Sequence, residues 1–564
     1  MRSNDIMNGP KWANVRALYR AAGFSDEEME KPKIAIINAF NGLCPGHVTL
    51  RQVSARAADG VRAGGGLPME FGTIGACDGI AMGHEGMRYV LPTREMIAAD
   101  IEAMVQAHRL DGLVLVGSCD KIVPGMLMAA VRLNLPALFI GGGPALPGHM
   151  RGKNIYGGES IDHSSIQQAE GMLASGEISA ERFDWIERNA MPTAGSCAML
   201  GTANTMCCLA EAMGMALPES AAVPATYSRR MALAYESGLQ VMELLKQNLL
   251  PRDIVTKRSL ENAIKINAAI GGSTNAVMHL MAIAYEAHVP LDLFELGRLG
   301  DGIPHLVPLI PAGSYTLLDF FEAGGVSTVM AALENMLHLD VVTCKGETVG
   351  EVVRRASKPG IGAIRGLDNP VGSEGGVAIL RGNLAPDGAV TKPSAIPTAA
   401  LVFEGPARIY EGEEQALAGI RSGQVKKGEV VVIRGEGPKG GPGMPEMYKA
   451  MKLLVGMGLG KDVCLITDGR FSGSNNGCFV GHICPEAADG GPIAFLQPGD
   501  RIRVDVPARR IDALDIDFAR RLELGCSTFK ARSMPGLLYQ YAHNVLPASM
   551  GAVVPSRPPE ESAS

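Results

Sequence analysis

A thiol, a carboxylate and an amine stand side by side at Cys119-Asp120-Lys121, directly after the apolar run Leu113-Val114-Leu115-Val116. Thiolates ligate soft metals, whereas carboxylates suit hard cations. The thiol–carboxylate pairing recurs at Cys77-Asp78, and Cys197 follows Pro192-Thr193-Ala194-Gly195-Ser196. Two later loops, Gly437 to Glu446 and Thr467 to Gly473, add Glu446 and Ser472, and an early loop, Asn41 to His47, adds Cys44. Taken singly, each signal is weak. An Asp after a strand is more often a helix cap or turn residue. A lone cysteine is more often packing, and Cys207, Cys208 and Cys344 are expected to be buried small hydrophobes. The glycines match neither a P-loop nor a dinucleotide-binding fingerprint.

The elements that must position these residues can be traced by pattern. Leu113 to Val116 reads as a buried strand, Pro124 to Val131 as a helix with proline in its first turn, and Ala137 to Gly141 as the next strand. That order is a βαβ unit, and in open parallel sheets ligands sit at the carboxyl ends of the strands. The following helix N-terminus favours negative charge. Ile34 to Asn38 and Phe71 to Ala76 read as further strands, with a helix from Leu50 to the Gly64-Gly65-Gly66 break. Helical pattern dominates from Tyr227 to His288, interrupted by Gly271-Gly272-Ser273-Thr274-Asn275. Between about Ser357 and Gly376 glycine and proline accumulate, which marks a domain edge. Short, closely spaced strand-like runs follow: Val377 to Leu380, Ala400 to Phe403, Val430 to Ile433, Val463 to Ile466 and Ile502 to Val506. The expected fold class is α/β, with an N-terminal α/β domain (1–358) whose parallel sheet carries the metal-type loops. A β-rich, barrel-like C-terminal domain (359–550) and a frayed tail (551–564) complete it.

The bulk numbers exclude other classes. The chain of 564 residues is 46% hydrophobic and 20% charged, as expected of an ordinary globular protein with more than one core. A net charge of -7 without a basic block argues against nucleic acid as a partner. No apolar run reaches the ~18 residues of a membrane span. Met1 to Asp5 opens a polar stretch unlike a signal peptide, so cytoplasm is the expectation, and eleven cysteines there are not expected to form a disulfide framework.

Together the loops resemble the dihydroxy-acid and sugar-acid dehydratases. The resemblance rests on Cys119-Asp120-Lys121 through Met128, Gly195-Ser196-Cys197 before Thr202 to Met206, and Asp78 to His84. Gly271 to Asn275, Glu436 to Glu446 and Thr467 to Gly473 extend it, so that it covers about residues 11 to 545. It implies an iron–sulfur cluster and a Mg²⁺ ion that together remove water from a 2,3-dihydroxy acid to give a 2-oxo acid. By motif match Cys119 and Cys197 would ligate the cluster. Asp78, Asp120 and Glu446 would hold Mg²⁺, with Lys121 carbamylated into an oxygen ligand. Ser472 matches the general base that takes the C2 proton. Family members are dimers or tetramers.

One position departs from part of the family. Where many members carry a third cluster cysteine, this sequence has Gly46, in Pro45-Gly46-His47. Cys44, two residues upstream, could substitute, with Cys77 a further candidate, and the cluster is left open between [4Fe–4S] and [2Fe–2S]. His47 is expected to orient a neighbour rather than bind iron. The leading expectation is a dihydroxy-acid dehydratase of branched-chain amino acid synthesis. A dehydratase of aldonates is the rival, separated by an apolar against a polar substrate pocket, and Gly302 to Pro308 is an apolar stretch without a place. A non-catalytic iron–sulfur sensor or electron carrier would need the cysteines but not Asp78, Asp120, Lys121, Glu446 or Ser472.

Overall fold

The computed structural model describes residues 1–149, 160–174, 176–360, 362–471, 477–525, 527 and 529–558. Ser472 therefore lies outside the described residues, as do its neighbours to 476.

Four parallel strands build the first sheet: β1 (Lys33–Asn38), β2 (Leu67–Gly72), β3 (Gly112–Gly117) and β4 (Ala137–Gly141), in the order β2-β1-β3-β4. Strands β1, β3 and β4 are buried along their whole length, which is why their sequences are continuous apolar runs rather than alternating ones. Helix Leu50–Ala63 packs closely on helix Ser228–Gln247, where Gly60 and Gly238 meet. A Cβ on Gly60 would stand 2.0 Å from the Tyr235 carbonyl oxygen, so this crossing requires a glycine. Helix Ile122–Leu133 follows β3, buried from Ile122 through Val131, and ends at Asn134 in the left-handed conformation. The expected strand Phe71 to Ala76 begins earlier, at Leu67, and ends at Gly72.

A two-residue pair, β5 (Gly148–His149) and β6 (Ser160–Ile161), leads into the helical region. The second sheet has eight strands: β7 (Ala378–Leu380), β8 (Gly388–Thr391), β9 (Val402–Glu411), β10 (Val430–Arg434), β11 (Cys464–Thr467), β12 (Cys478–Cys484), β13 (Arg501–Asp505) and β14 (Arg510–Ala513). Their order is β14-β13-β9-β10-β11-β12-β8-β7. Strands β9 to β12 are parallel and the flanks antiparallel. A bridge between Arg381 and Arg510 joins the two edges, so the sheet nearly closes into a barrel and removes its exposed edge strands. Strand β12 carries no expectation from sequence, and β9 runs well beyond the short Ala400 to Phe403 run. The chain is thus α/β with a parallel sheet and a barrel-like β-rich region.

The segment from Gly551 is not frayed over its described part. Arg94, fully buried, donates to the carbonyl oxygens of Gly551 and Ala552, and the Val554 N–H donates to Glu95. Composition alone had hidden this anchoring, because it depends on a buried guanidinium over 450 residues away. No described helix is long and apolar enough to cross a membrane.

Candidate active site

Each thiol sits on a loop at the carboxyl end of the first sheet, where backbone direction and βαβ winding place ligand-binding loops. Cys44 follows β1, Cys77 follows β2 and Cys119 follows β3. Their three sulfur atoms lie within 4.8 Å of one another. Cys119 and Cys44 are buried and Cys77 is half-buried. Cys77 is the acceptor of the group. Hydrogen bonds from Cys119 and then Cys44 hold its thiol far below the usual range, helped by the backbone of Ile80 and Gly79. Cys119 is pushed well up by hydrogen bonding to Cys44 and Cys77 and by burial. Cys44 is pushed up to about 12: its hydrogen bond with Cys119 favours the thiolate, but the bond to Cys77 and burial outweigh it.

Cys119 has φ +73°, the left-handed region that a side chain with a Cβ rarely occupies; such a backbone costs roughly 1–2 kcal/mol. Strain of this kind collects at functional positions. Cys197 stands in the adjoining loop, outside the close triad. The Gly195 N–H donates to the Pro45 carbonyl at 3.0 Å, and Asn204 Nδ2 donates to the Cys197 carbonyl at 2.6 Å. Burial pushes the Cys197 thiol well up, with Asp120, Asp162 and Cys77 adding to the shift.

The carboxylates begin where the thiols end. Oxygen atoms of Asp78 and Asp120 lie within 4.8 Å of the Cys119 sulfur and of each other. Lys121, fully buried, donates to Asp78 Oδ2 at 2.8 Å and stands 3.8 Å from Asp120. From the second sheet comes Arg470, also fully buried. Its guanidinium is 2.6 Å from Glu446 and 3.5 Å from Asp78, and its Nε donates to the Met444 carbonyl at 2.8 Å. Asn275 donates from the first turn of helix Asn275–Glu286 to Glu446 at 3.1 Å. Burial and the neighbouring Asp78 push the Asp120 carboxyl up to about 7, against the pull of Lys121. Three carboxylates thus face two buried cations, with Asp120 still partly accessible to solvent, and Arg470 joins Asp78 of one sheet's loops to Glu446 of the other's.

Two features fit a hard cation. Asp78 Oδ1 and Asn275 Oδ1 are buried oxygens without a hydrogen-bond partner among the described residues, and buried acceptors are normally satisfied. The donor set beside them is carboxylate oxygen, the kind Mg²⁺ prefers. The Lys121 ammonium and the Arg470 guanidinium are the groups such a cation repels. The thiol triad in turn offers the sulfur donors an iron–sulfur cluster uses. A cavity of about 540 Å³ is lined by Gly79, next in chain to Asp78, and by Tyr448, with Met82, Leu417, Leu453 and Met457 on its walls and Arg421, Lys449, Lys452 and Glu170 as its charged groups. Gly302 to Pro308 lines none of it; Leu306 and Val307 are fully buried in the core.

Family models match the two halves of the chain. The dihydroxy-acid/6-phosphogluconate dehydratase N-terminal model matches residues 31–352 and the C-terminal model residues 362–552. The chain belongs to this family. Among its relatives, the dihydroxy-acid dehydratase of Methanoregula boonei is 50% identical over 554 residues, covering 98% of this chain and 99% of that protein. Those of Pyrococcus abyssi and Caldanaerobacter subterraneus are 48% and 47% identical, over 98% of this chain and 100% and 99% of theirs.

Against that family pattern, the structure brings Cys44, Cys119, Asp78, Asp120, Lys121 and Glu446 to one place, with Cys197 beside them. It adds Cys77, which motif reasoning ranked behind Cys44. Arg470 and Asn275 were quoted within motifs without a role. The signal that could have found Arg470 is its position just after a fully buried strand, between Gly469 and Phe471, where charge persists only if paired.

Proposed function

We propose that this chain removes water from a 2,3-dihydroxy carboxylic acid to give a 2-oxo acid, and that its substrate carries a branched alkyl tail. It is a hydro-lyase of the dehydratase family. The observation that carries the reading is the convergence of three sulfur atoms and three carboxylates on one buried site, with Cys119 and Asp120 adjacent in chain and space. On this reading Cys119, Cys197 and Cys44 hold an iron–sulfur cluster, with Cys77 within reach. Asp78, Asp120, Glu446 and a carbamylated Lys121 hold Mg²⁺. Bound there, the two groups supply Lewis acidity toward the substrate's carboxylate, C2 hydroxyl and departing C3 hydroxyl.

The chain's own residues do the rest. Ser472, as alkoxide, takes the C2 proton, the C3–oxygen bond breaks and hydroxide departs, the proton held by Ser472 passes to it to give water and restore the alkoxide, and the enol tautomerises to the 2-oxo acid. Arg470 fixes Glu446 toward Asp78 and supplies the positive charge that remains once Lys121 is carbamylated. The Arg88 guanidinium pairs with Glu436 at 2.9 Å and ties the two halves of the chain together. Support for an alkyl tail comes from the dihydroxy-acid dehydratase relatives and from the apolar side chains Met82, Leu417, Leu453 and Met457 in the cavity whose lining includes Gly79, next in chain to Asp78.

Anaerobic reconstitution with iron, sulfide and Mg²⁺, followed by 2-oxo acid assay on dihydroxyisovalerate and on a panel of aldonates, tests this. Turnover of dihydroxyisovalerate well above every aldonate is expected. Rapid aldonate turnover with none of dihydroxyisovalerate overturns the alkyl assignment, and no 2-oxo acid from any of them overturns the activity.

A further inference from the structure

Three loops from three strands carry the triad, and one pair of side chains touches all of them. Asn41 Oδ1 accepts from the N–H groups of Leu43 and Cys44, at 2.9 and 3.0 Å, so it shapes its own loop. Asn41 Nδ2 donates to the Gly75 carbonyl at 2.9 Å, two residues before Cys77. It also lies 3.1 Å from His47 Nδ1. His47 Nε2 is 2.8 Å from the Ser118 carbonyl oxygen. A carbonyl only accepts, so Nε2 carries the proton and Nδ1 accepts from Asn41. His47 is fully buried, and burial lowers its pKa, which keeps this neutral tautomer in place.

Packing leaves the pair no slack. A Cβ on Gly75 would stand 2.4 Å from both Asn41 Nδ2 and His47 Nδ1, and one on Gly46 would stand 3.2 Å from Ser118 Oγ. The peptide that His47 grips is the one immediately before Cys119, whose backbone is left-handed at φ +73°. Release of the Ser118 carbonyl lets that peptide rotate and the strained residue relax, which turns the Cys119 sulfur away from Cys44 and Cys77.

We infer that Asn41 and His47 form a positioning brace that sets the spacing of the three thiols, acting through the Ser118–Cys119 peptide and touching no cluster. It rests on the reading of these thiols as cluster ligands. His47 explains why Pro45-Gly46-His47 needs a histidine there and not merely a small loop.

The brace is tested on the reconstituted full-length protein by iron per chain, the visible spectrum of the cluster, and the rate of iron loss to a chelator. His47→Gln places an amide N–H where Nε2–H was; His47→Asn keeps an acceptor for Asn41 but cannot reach Ser118. We expect His47→Gln to hold iron like the wild type. His47→Asn should lose it roughly 10–100-fold faster, the usual effect of removing a partner just outside the ligands, with the thermal midpoint of the iron-free protein little changed. Asn41→Asp, which keeps the Oδ1 acceptor and loses the donor to Gly75, should fall between. Iron retention by His47→Asn equal to wild type overturns the brace. So does equal loss from His47→Gln and Asn41→Asp, a comparison that stands even if His47→Asn does not fold. A wild-type protein that takes up no iron overturns the cluster reading instead.

Discussion

On the N-terminal side of the site, short loops are held by neutral groups, the Asn41 amide and the His47 imidazole, bonded to backbone at 2.8–3.0 Å. On the C-terminal side, the glycine-rich loop that ends at Glu446 is held by buried carboxylates. Asp468 accepts from the N–H groups of Gly435, Glu436 and Ala487, each at 3.0 Å. Glu486 accepts from Lys439 and Gly440 at 2.9 and 2.8 Å. A carboxyl that accepts two or three backbone N–H groups at once suits a loop of small residues with few side chains to pack, and those bonds strengthen when it is ionised. The cost is sensitivity to pH. Burial pushes Asp468 up to about 6, and burial with the nearby Asp468 pushes Glu486 up to about 8. The thiol side is set by geometry, the carboxylate side by charge.

The largest test of that contrast lies on the carboxylate side. Ser472→Ala should lower kcat by about 10²–10⁴-fold, the range for a general base, with cluster absorbance intact; full turnover removes Ser472 from the reaction. Arg470→Met removes one partner of a fully buried ion pair and should destabilise the protein by about 3–5 kcal/mol. Chemical denaturation measures this, and added Mg²⁺ should return more stability to the variant than to wild type. An unchanged midpoint means the site's charge balance does not depend on Arg470.

On the thiol side, Cys44→Ser and Cys77→Ser should each weaken iron retention at least ~10-fold, the lower end of what even an outlying change produces, while leaving Mg²⁺-dependent stabilisation unaltered. Iron content and spectrum unchanged in Cys44→Ser would exclude it as a ligand and leave Cys77 to complete the set.

The smallest effect per measured step concerns pH. Glu486 has a folded pKa near 8 against an ordinary 4.5, so in that window the folded state binds more protons than the unfolded one. Stability therefore falls as pH rises from about 4.5 to 8, by at most about 1.4 kcal/mol per pH unit for this group. Denaturant midpoints across the window should fall less steeply in Glu486→Gln than in wild type; parallel slopes would show that the carboxylate clamp carries no such sensitivity.

Residue type and order alone identified Cys119-Asp120-Lys121 as a metal-type loop after a buried strand, because a fully apolar run must be covered on both faces and can end only in a polar loop. Periodicity also located the helices around Ser228–Gln247 and Asn275–Glu286 and the change to short strands beyond residue 376. It missed β12, whose Gly481 and His482 interrupt the apolar run, and the anchored segment after Gly551. Spacing along the chain could not rank Cys77 against Cys44, since both stand in loops after strands and their closeness arises only where β1, β2 and β3 end side by side. Nor could it pair Arg470 with Asp78 and Glu446. Local sequence determines which strands form and which loops are polar. Only the packing of two separate sheets decides which loop ends meet, because electrostatic pairing acts through distance in space and not along the chain.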